Sequence, residues 1–294
     1  MNRAAASATA PGSVTAWDDV LPGRHGPIPV RRYQPQAAIA GPGRAAGLVI
    51  WLHGGAFSHG GLDQLESHAV GLALAAAGHP VVAVDYRRVP PWSWWRRPRP
   101  GVLEGIRYPV PLEDVIDAVA TLRREADDAG RELVLGGASA GACLAAAAAL
   151  RLGAERGPRP DGLLLVYGTF HAALPPISRA LRARIRGPHS LMQFRPSTVE
   201  RMNRNYAGSP EAMEDPWAFP GGHDLSGMPP TLVLDADRDS LRASGDAFVA
   251  ELAKAGVDVT NGIVPESVHG FLDRPGTPAF ERGIGRAIRW LDRH

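Results

Sequence analysis

The chain is 294 residues long, 45% apolar and 21% charged, which gives it enough apolar sequence to bury a full core and excludes a disordered chain. Its 32 basic residues against 30 acidic ones leave a net charge of +2, too small for a function built on neutralising nucleic-acid phosphates. The one cysteine, Cys143, excludes an internal disulfide and a cysteine-based zinc cluster, and its run of small neighbours marks it as buried.

Residues 1–13 lack the apolar h-region of a signal peptide, and no apolar run is long enough to span a bilayer. The expected compartment is therefore the cytoplasm, with no integral membrane segment. Edge or amphipathic strands are expected at 14–20 and 28–33. Short continuous apolar runs then recur at 47–52, 80–85, 133–135 leading into Gly136, 163–167 and 231–234. Such runs suit strands of a parallel sheet covered on both faces. Residues 257–264 read as a last strand. Helical segments alternate with these strands at 64–77, 113–129, 140–156, 244–255 and 278–292, and the first four stop at a glycine. Strict alternation predicts one α/β domain over 1–294, with a mostly parallel central sheet, helices on both faces and right-handed crossovers.

Two segments break the rhythm. Residues 87–107 are proline-rich and hold Trp92, Trp94, Trp95, Arg96, Arg97 and Arg99. Residues 170–215 carry two helical patterns where one is expected. Ile177, Leu181 and Ile185 form an apolar stripe, and Ser197-Thr198-Val199-Glu200 is a capping-box signature for a second helix. Both segments leave the sheet at its carboxyl edge, so they are expected to form a cap, with Trp94, Trp95 and Phe194 lining the substrate pocket. Tryptophans that merely pack on the cap are the structural alternative.

Gly137-Ala138-Ser139-Ala140-Gly141 fits G-x-S-x-G between an apolar strand and an alanine-rich helix. A turn that tight admits only small residues beside the serine and presents it at a helix N-terminus, as a nucleophile requires. His53-Gly54-Gly55-Ala56-Phe57 directly follows the strand at 47–52. Its glycines can aim the N–H groups of Gly54 and Gly55 at a developing oxyanion, with Ala140 beside the nucleophile supplying a third. His53 reads as a hydrogen-bonder that orients this loop. Of the histidines after Ser139 (His171, His189, His223, His269 and His294), only His269 follows both a predicted strand and a plausible acid at the end of another. For the acid, Asp235, Asp237 and Asp239 share side-chain parity on a continuing strand; Asp239 is the most loop-like, and Glu266 stands only three residues from His269. All these groups fall at carboxyl ends of predicted strands, where open α/β sheets bind ligands.

These residues resemble the hormone-sensitive-lipase-like family of α/β-hydrolases, the bacterial esterases with an HGGG loop, from about residue 47 onward. The segment from His53 to Phe57 is similar to the family's HGGGF, Asp85-Tyr86-Arg87 to its D-Y-R, and Tyr108-Pro109-Val110-Pro111-Leu112-Glu113-Asp114 to its Y-P-x-x-x-E-D. Asp224-Leu225-Ser226-Gly227-Met228-Pro229-Pro230 resembles the stretch before the acid strand, and His269-Gly270-Phe271 resembles H-G-F. Asp239-Ser240-Leu241-Arg242 resembles D-P-L-R, which selects Asp239 as the acid. Ala56 stands for the third glycine, Ala142 for a further elbow glycine and Ser240 for a proline, and the segment between Arg88 and Tyr108 is extra. The resemblance implies an α/β-hydrolase fold with an inserted helical cap and a serine carboxylic-ester hydrolase acting through an acyl-enzyme on a small or medium acyl ester. His269 takes the Ser139 proton, Asp239 orients the imidazole, and the N–H groups of Gly54, Gly55 and Ala140 hold the oxyanion. Neither metal nor organic cofactor is expected, and the expected partner is a small-molecule ester, with a homodimer left open. The alternatives are an amidase or deacetylase (arylformamidase-like, or acting on an acetylated specialised metabolite), a cyclase or acyltransferase that keeps the triad, and a non-catalytic ligand-binding protein. A histidine base predicts activity rising through a limb near about pH 6–7.

Overall fold

In the computed structural model, which describes residues 13–36, 46–91, 101–187, 190 and 193–294, the apolar runs become one eight-stranded sheet. Its strands are β1 (Val14–Leu21), β2 (Ile28–Pro35), β3 (Leu48–Leu52), β4 (Val81–Val84), β5 (Leu133–Ala138), β6 (Gly162–Val166), β7 (Thr231–Ala236) and β8 (Val259–Val264), in spatial order β1-β2-β4-β3-β5-β6-β7-β8. The β1–β2 and β2–β4 pairs are antiparallel, and every pair from β4 to β8 is parallel.

Every residue of β3 through β7 is buried, because alternate side chains enter different layers. Ile50, Leu52, Leu135, Leu165 and Val233 pack in the layer of α2 (Val110–Asp128), α3 (Ala140–Ala154) and α7 (Arg242–Lys254). Val49, Trp51, Val134, Leu164 and Leu234 pack in the layer of α1 (Leu65–Ala76) and α8 (Pro278–Leu291). Helix α8 buries Phe280, Ile284, Ala287, Trp290 and Leu291, spaced as one face of a helix, and starts at Thr277, whose side chain accepts the Phe280 N–H. Helix α3 is buried from Ala140 through Ala149, as an apolar helix wrapped by its neighbours must be. Cys143 lies there with its thiol on the Ala218 carbonyl, and burial pushes its pKa up.

The second irregular segment holds α4 (Arg179–Arg184), α5 (Pro196–Ala207) and the short α6 (Pro210–Met213), one helix more than the sequence pattern suggests. Leu181 is the buried member of its stripe. The capping box expected at Ser197 does not form: α5 starts at Pro196, whose fixed φ suits the first helical position, so Ser197 lies inside the helix. Likewise, α2 begins at Val110, three residues before the expected 113, with Pro111 in its first turn. Among the described residues no helix is long and apolar enough to cross a membrane.

Asp235 on β7 is fully buried, and neither carboxyl oxygen has a hydrogen-bond partner among the described residues. Burial, reinforced by the charges of Asp246 and Asp239, raises its pKa well above 3.8. With the folded value above the unfolded one, Asp235 adds no penalty below the unfolded pKa and costs stability increasingly as pH rises past it. Asp235→Asn, a neutral isostere, therefore raises the Tm at pH 7 by about 2–4 °C per kcal/mol recovered, and the gain shrinks toward pH 4. Thermal melts at both pH values check this; an equal gain at each contradicts the titration.

Candidate active site

The site is built on the turn between β5 and α3. Ser139 has φ 53° and ψ −115°, a conformation costly for a residue with a Cβ and one that persists only where the surroundings enforce it. The enforcement is close packing: a Cβ on Gly141 would lie 2.3 Å from the Leu52 carbonyl oxygen, so only glycine lets α3 approach the end of β3. The Ser139 N–H donates to the Val166 carbonyl at 2.9 Å, tying the turn to β6.

His269 follows β8, and its Nε2 lies 3.1 Å from Ser139 Oγ while its Nδ1 lies 2.6 Å from Asp239 Oδ2. A carboxylate only accepts, so Nδ1 carries the proton and the neutral ring turns an acceptor toward the Ser139 hydroxyl. Asp239 is 1% exposed, and its other oxygen accepts the Leu241 N–H at 2.9 Å. The two rival acids are otherwise engaged. Asp235 is buried in the core, with its pKa raised and no hydrogen-bond partner among the described residues. Asp237 holds Arg184 of α4, whose Nε lies 2.9 Å away, and accepts the Glu266 N–H at 3.0 Å; hydrogen bonding from Arg184, aided by its charge, holds its pKa down.

The oxyanion loop corrects one expectation. Gly54 N–H is already donated to Glu66 Oε1 at 2.6 Å, so it does not face the reacting centre. The next two N–H groups, of Gly55 and Ala56, have no acceptor among the described residues, and neither does that of Ala140. His53 Nδ1 donates to the Gly54 carbonyl at 2.7 Å, and in a planar trans peptide this turns the Gly55 N–H the opposite way. Gly55, Ala56 and Phe57 follow at φ 114°, 53° and 62°, a run in the left-handed region. At Gly55 a side chain is excluded outright, since its Cβ would lie 2.2 Å from the His59 carbonyl oxygen. The set able to hold an oxyanion is thus Gly55, Ala56 and Ala140. Ala140 opens α3, so its N–H carries the positive end of that helix dipole.

Glu66 and Tyr167 were not singled out in the sequence. Glu66 is 3% exposed; besides Gly54 its Oε1 accepts Gln64 Nε2 at 3.0 Å, and its Oε2 accepts the Tyr167 hydroxyl at 2.7 Å. The Tyr167 ring stands edge-on to His269, centroids 4.9 Å apart. A signal existed: Glu66 shares the face of α1 that buries Val70 and Leu74, a lone charge on an apolar stripe. Phe194 also stands edge-on to His269, at 5.0 Å. Ser240 fixes it there, with its Oγ on the Phe194 carbonyl and its N–H on Gln193 Oε1; a proline there would lack that N–H. Trp94 and Trp95 lie outside the described residues.

A family model described as an alpha/beta hydrolase fold matches residues 103–273. The ethyl acetate hydrolase of Pseudomonas putida is 30% identical over 276 residues, 91% of this chain and 79% of the relative. Carboxylesterase NlhH of Mycobacterium tuberculosis is 30% identical over 276 residues, covering 90% and 78%. The solved esterase of Pyrobaculum calidifontis superposes with a TM-score of 0.78 at 26% identity, covering 95% of this chain and 85% of that one.

Two outcomes follow from the geometry. Asp239→Asn presents the wrong imidazole tautomer and lowers kcat/KM by about 10⁴-fold, whereas Asp237→Asn, which weakens only a partly exposed ion pair, keeps it within about tenfold. A reversed order removes Asp239 from the site. Burial opposes the His269 imidazolium, but the charge and hydrogen bond of Asp239, with Glu66 and Asp273 behind them, outweigh it and raise the pKa above 6.5. Only the neutral ring accepts the serine proton, so kcat/KM rises with pH through a limb placed above 6.5; a pH profile with its limb below that value contradicts this electrostatic balance.

Proposed function

The chain belongs to the hormone-sensitive-lipase-like family of α/β-hydrolases and is a serine carboxylesterase, and we propose that Ser139 is its nucleophile, His269 its base and Asp239 its orienting acid. The observation that carries the assignment is the unbroken line Ser139–His269–Asp239, at 3.1 and 2.6 Å, beneath N–H groups of Gly55, Ala56 and Ala140 that have no acceptor among the described residues.

In this reading Ser139 Oγ forms a bond to the acyl carbon as its proton passes to His269 Nε2, and the carbonyl electron pair becomes an oxyanion facing the three N–H groups. The intermediate collapses, the C–O bond to the alcohol breaks, and His269 returns the proton to the departing oxygen. Water then attacks the acyl-enzyme with His269 again as base, releasing the acid and restoring Ser139. Asp239 balances the charge of the transient imidazolium.

The cap reading covers segments 87–107 and 170–215 together. Their described parts support it: the Leu103 N–H donates to the Gly208 carbonyl at 2.7 Å, and Arg107 Nη1 donates to the Asn205 carbonyl at 2.9 Å. The cap also meets the catalytic loops, through the stack of Tyr206 on Phe57 with centroids 4.0 Å apart and through Phe194 against His269. We assign Phe194 to the pocket wall and a short acyl group to the substrate, the latter supported by the ethyl acetate hydrolase relative.

Ser139→Ala is expected to fold normally and lose nearly all turnover, and a fluorophosphonate probe to label Ser139 alone; activity retained without that hydroxyl ends the assignment. On a nitrophenyl ester series from two to twelve carbons, kcat/KM peaks at the short end. Phe194→Ala moves the short-to-medium preference ratio by roughly 10–200-fold, the range a reshaped apolar pocket gives. A flat ratio makes Phe194 packing only.

A further inference from the structure

Both peptide groups flanking Gly54 are clamped. In the first, the His53 carbonyl accepts the Tyr86 hydroxyl at 2.8 Å and the Gly54 N–H is held by Glu66 Oε1 at 2.6 Å. In the second, the Gly54 carbonyl is held by His53 Nδ1, leaving the Gly55 N–H for the oxyanion. Gly54 sits directly on the nucleophile: a Cβ there would lie 3.1 Å from Ser139 Cβ and 2.2 Å from Glu66 Oε1. The orientation of the oxyanion loop relative to Ser139 therefore depends on where the Glu66 carboxylate is.

That carboxylate is fixed from the base's side of the site as well. The Glu66 N–H donates to Asp273 Oδ1 at 2.9 Å, and Gln64 Nε2 reaches Asp273 Oδ2 at 3.2 Å. Asp273 closes the 3-10 turn Phe271–Asp273, which begins two residues after His269. The Glu66 carbonyl in turn accepts the Trp51 indole N–H at 2.8 Å, anchoring it to β3. Finally, Oε2 holds the Tyr167 hydroxyl, whose ring packs between His269 and Phe271, with centroids 4.9 Å from each. One buried residue thus touches the oxyanion loop and the residue after β6 that backs the imidazole through its side chain, and the turn following His269 through its backbone N–H.

We propose that Glu66 is a positioning residue for the esterase reaction, acting through the Gly54 amide on the oxyanion donors and through the Tyr167 hydroxyl on the seat of His269. It touches no reacting atom. Its contribution is registration: donors on the β3 loop and base on the β8 loop are held to one common point, so that an oxyanion formed at Ser139 finds both in place. The proposal rests on the assignment of Ser139, His269 and Asp239 made above.

The test compares Glu66→Ala, Glu66→Gln and Ser139→Ala on nitrophenyl acetate, with inhibition by an alkyl trifluoromethyl ketone, whose adduct with serine carries a tetrahedral oxyanion. Glu66→Ala is expected to lower kcat by about 10²–10³-fold, the loss seen when one oxyanion donor is removed, with KM within about threefold. Its affinity for the ketone falls by a similar factor. Glu66→Gln, which still offers an oxygen to the Gly54 N–H and an amide to the Tyr167 oxygen, restores kcat to within about tenfold of the parent. A folded Glu66→Ala protein with unchanged kcat, a loss confined to KM, or a fall in kcat without weaker ketone binding overturns the proposal. If the alanine protein does not fold, Glu66→Asp carries the test: its carboxylate ends about 1.5 Å short of Gly54, and its kcat falls below that of Glu66→Gln. An aspartate variant equal to or better than the glutamine variant would show that charge matters and reach does not, and overturns it equally. Ser139→Ala separates the two levels: full activity there removes the underlying site, whereas inactivity there with indifferent Glu66 variants removes only the role given to Glu66.

Discussion

The contact between α3 and the end of β3 constrains everything around it. With Gly141 against the Leu52 carbonyl, the chain has no room to leave β5 gradually, and Ser139 is forced into the left-handed region at φ 53°. The same closeness places the helix N-terminus, with an Ala140 N–H that has no acceptor among the described residues, beside the loop that leaves β3. A looser turn would separate Ser139 from the loop that leaves β3 even if every side chain were retained. The alanine run of α3 serves this approach, because a helix bearing larger residues could not lie so near the sheet.

Around that turn, the partners each group meets set four acids of one neighbourhood apart. Asp239 accepts one N–H and faces one imidazole nitrogen. Asp237 is held by Arg184 of α4, whose hydrogen bonds lower its pKa. Asp235, two residues nearer the strand interior and with no hydrogen-bond partner among the described residues, has its pKa pushed up by burial. Glu66 is caught between influences: burial and the charge of Asp273 push its pKa up, while Tyr167 and Gly54 pull it back, and the net shift is upward. Local hydrogen-bond supply, not sequence spacing, decides which carboxylate does what.

The sheet was legible because its strands are buried on both sides, so apolar runs of a few residues stand out, and glycine stops marked the helix ends. The elbow was legible because its backbone requirement leaves a mark in residue type, a glycine where a Cβ would collide, and the candidate base because it alone follows both a predicted strand and a plausible acid. Less legible were features settled by which partner a group meets. Nothing in His53-Gly54-Gly55-Ala56 says that the first glycine N–H is already taken, and Asp235, Asp237 and Asp239 share a parity that only tertiary contacts resolve. The start of α5 was misjudged because Pro196 and Ser197 both signal a helix N-terminus, and the proline, with its φ preset, prevailed. Ser240 read as a departure from the family pattern, whereas in three dimensions its N–H and hydroxyl secure the segment carrying Phe194.

The stack of Phe57 on Tyr206 bears on how this scaffold could diversify. Phe57 is the residue after Ala56, so the ring that stacks on Tyr206 of α5 and a peptide N–H with no acceptor among the described residues are neighbours in the chain. Trimming Tyr206 would remove the ring that Phe57 stacks on and loosen the backbone from Gly55 to Phe57. Phe194 is held by Gln193 and Ser240, and removing its ring leaves those backbone and amide contacts in place. Variation at Phe194, in nature or in a mutant library, therefore leaves its anchors intact, whereas variation at Tyr206 reaches the loop from Gly55 to Phe57.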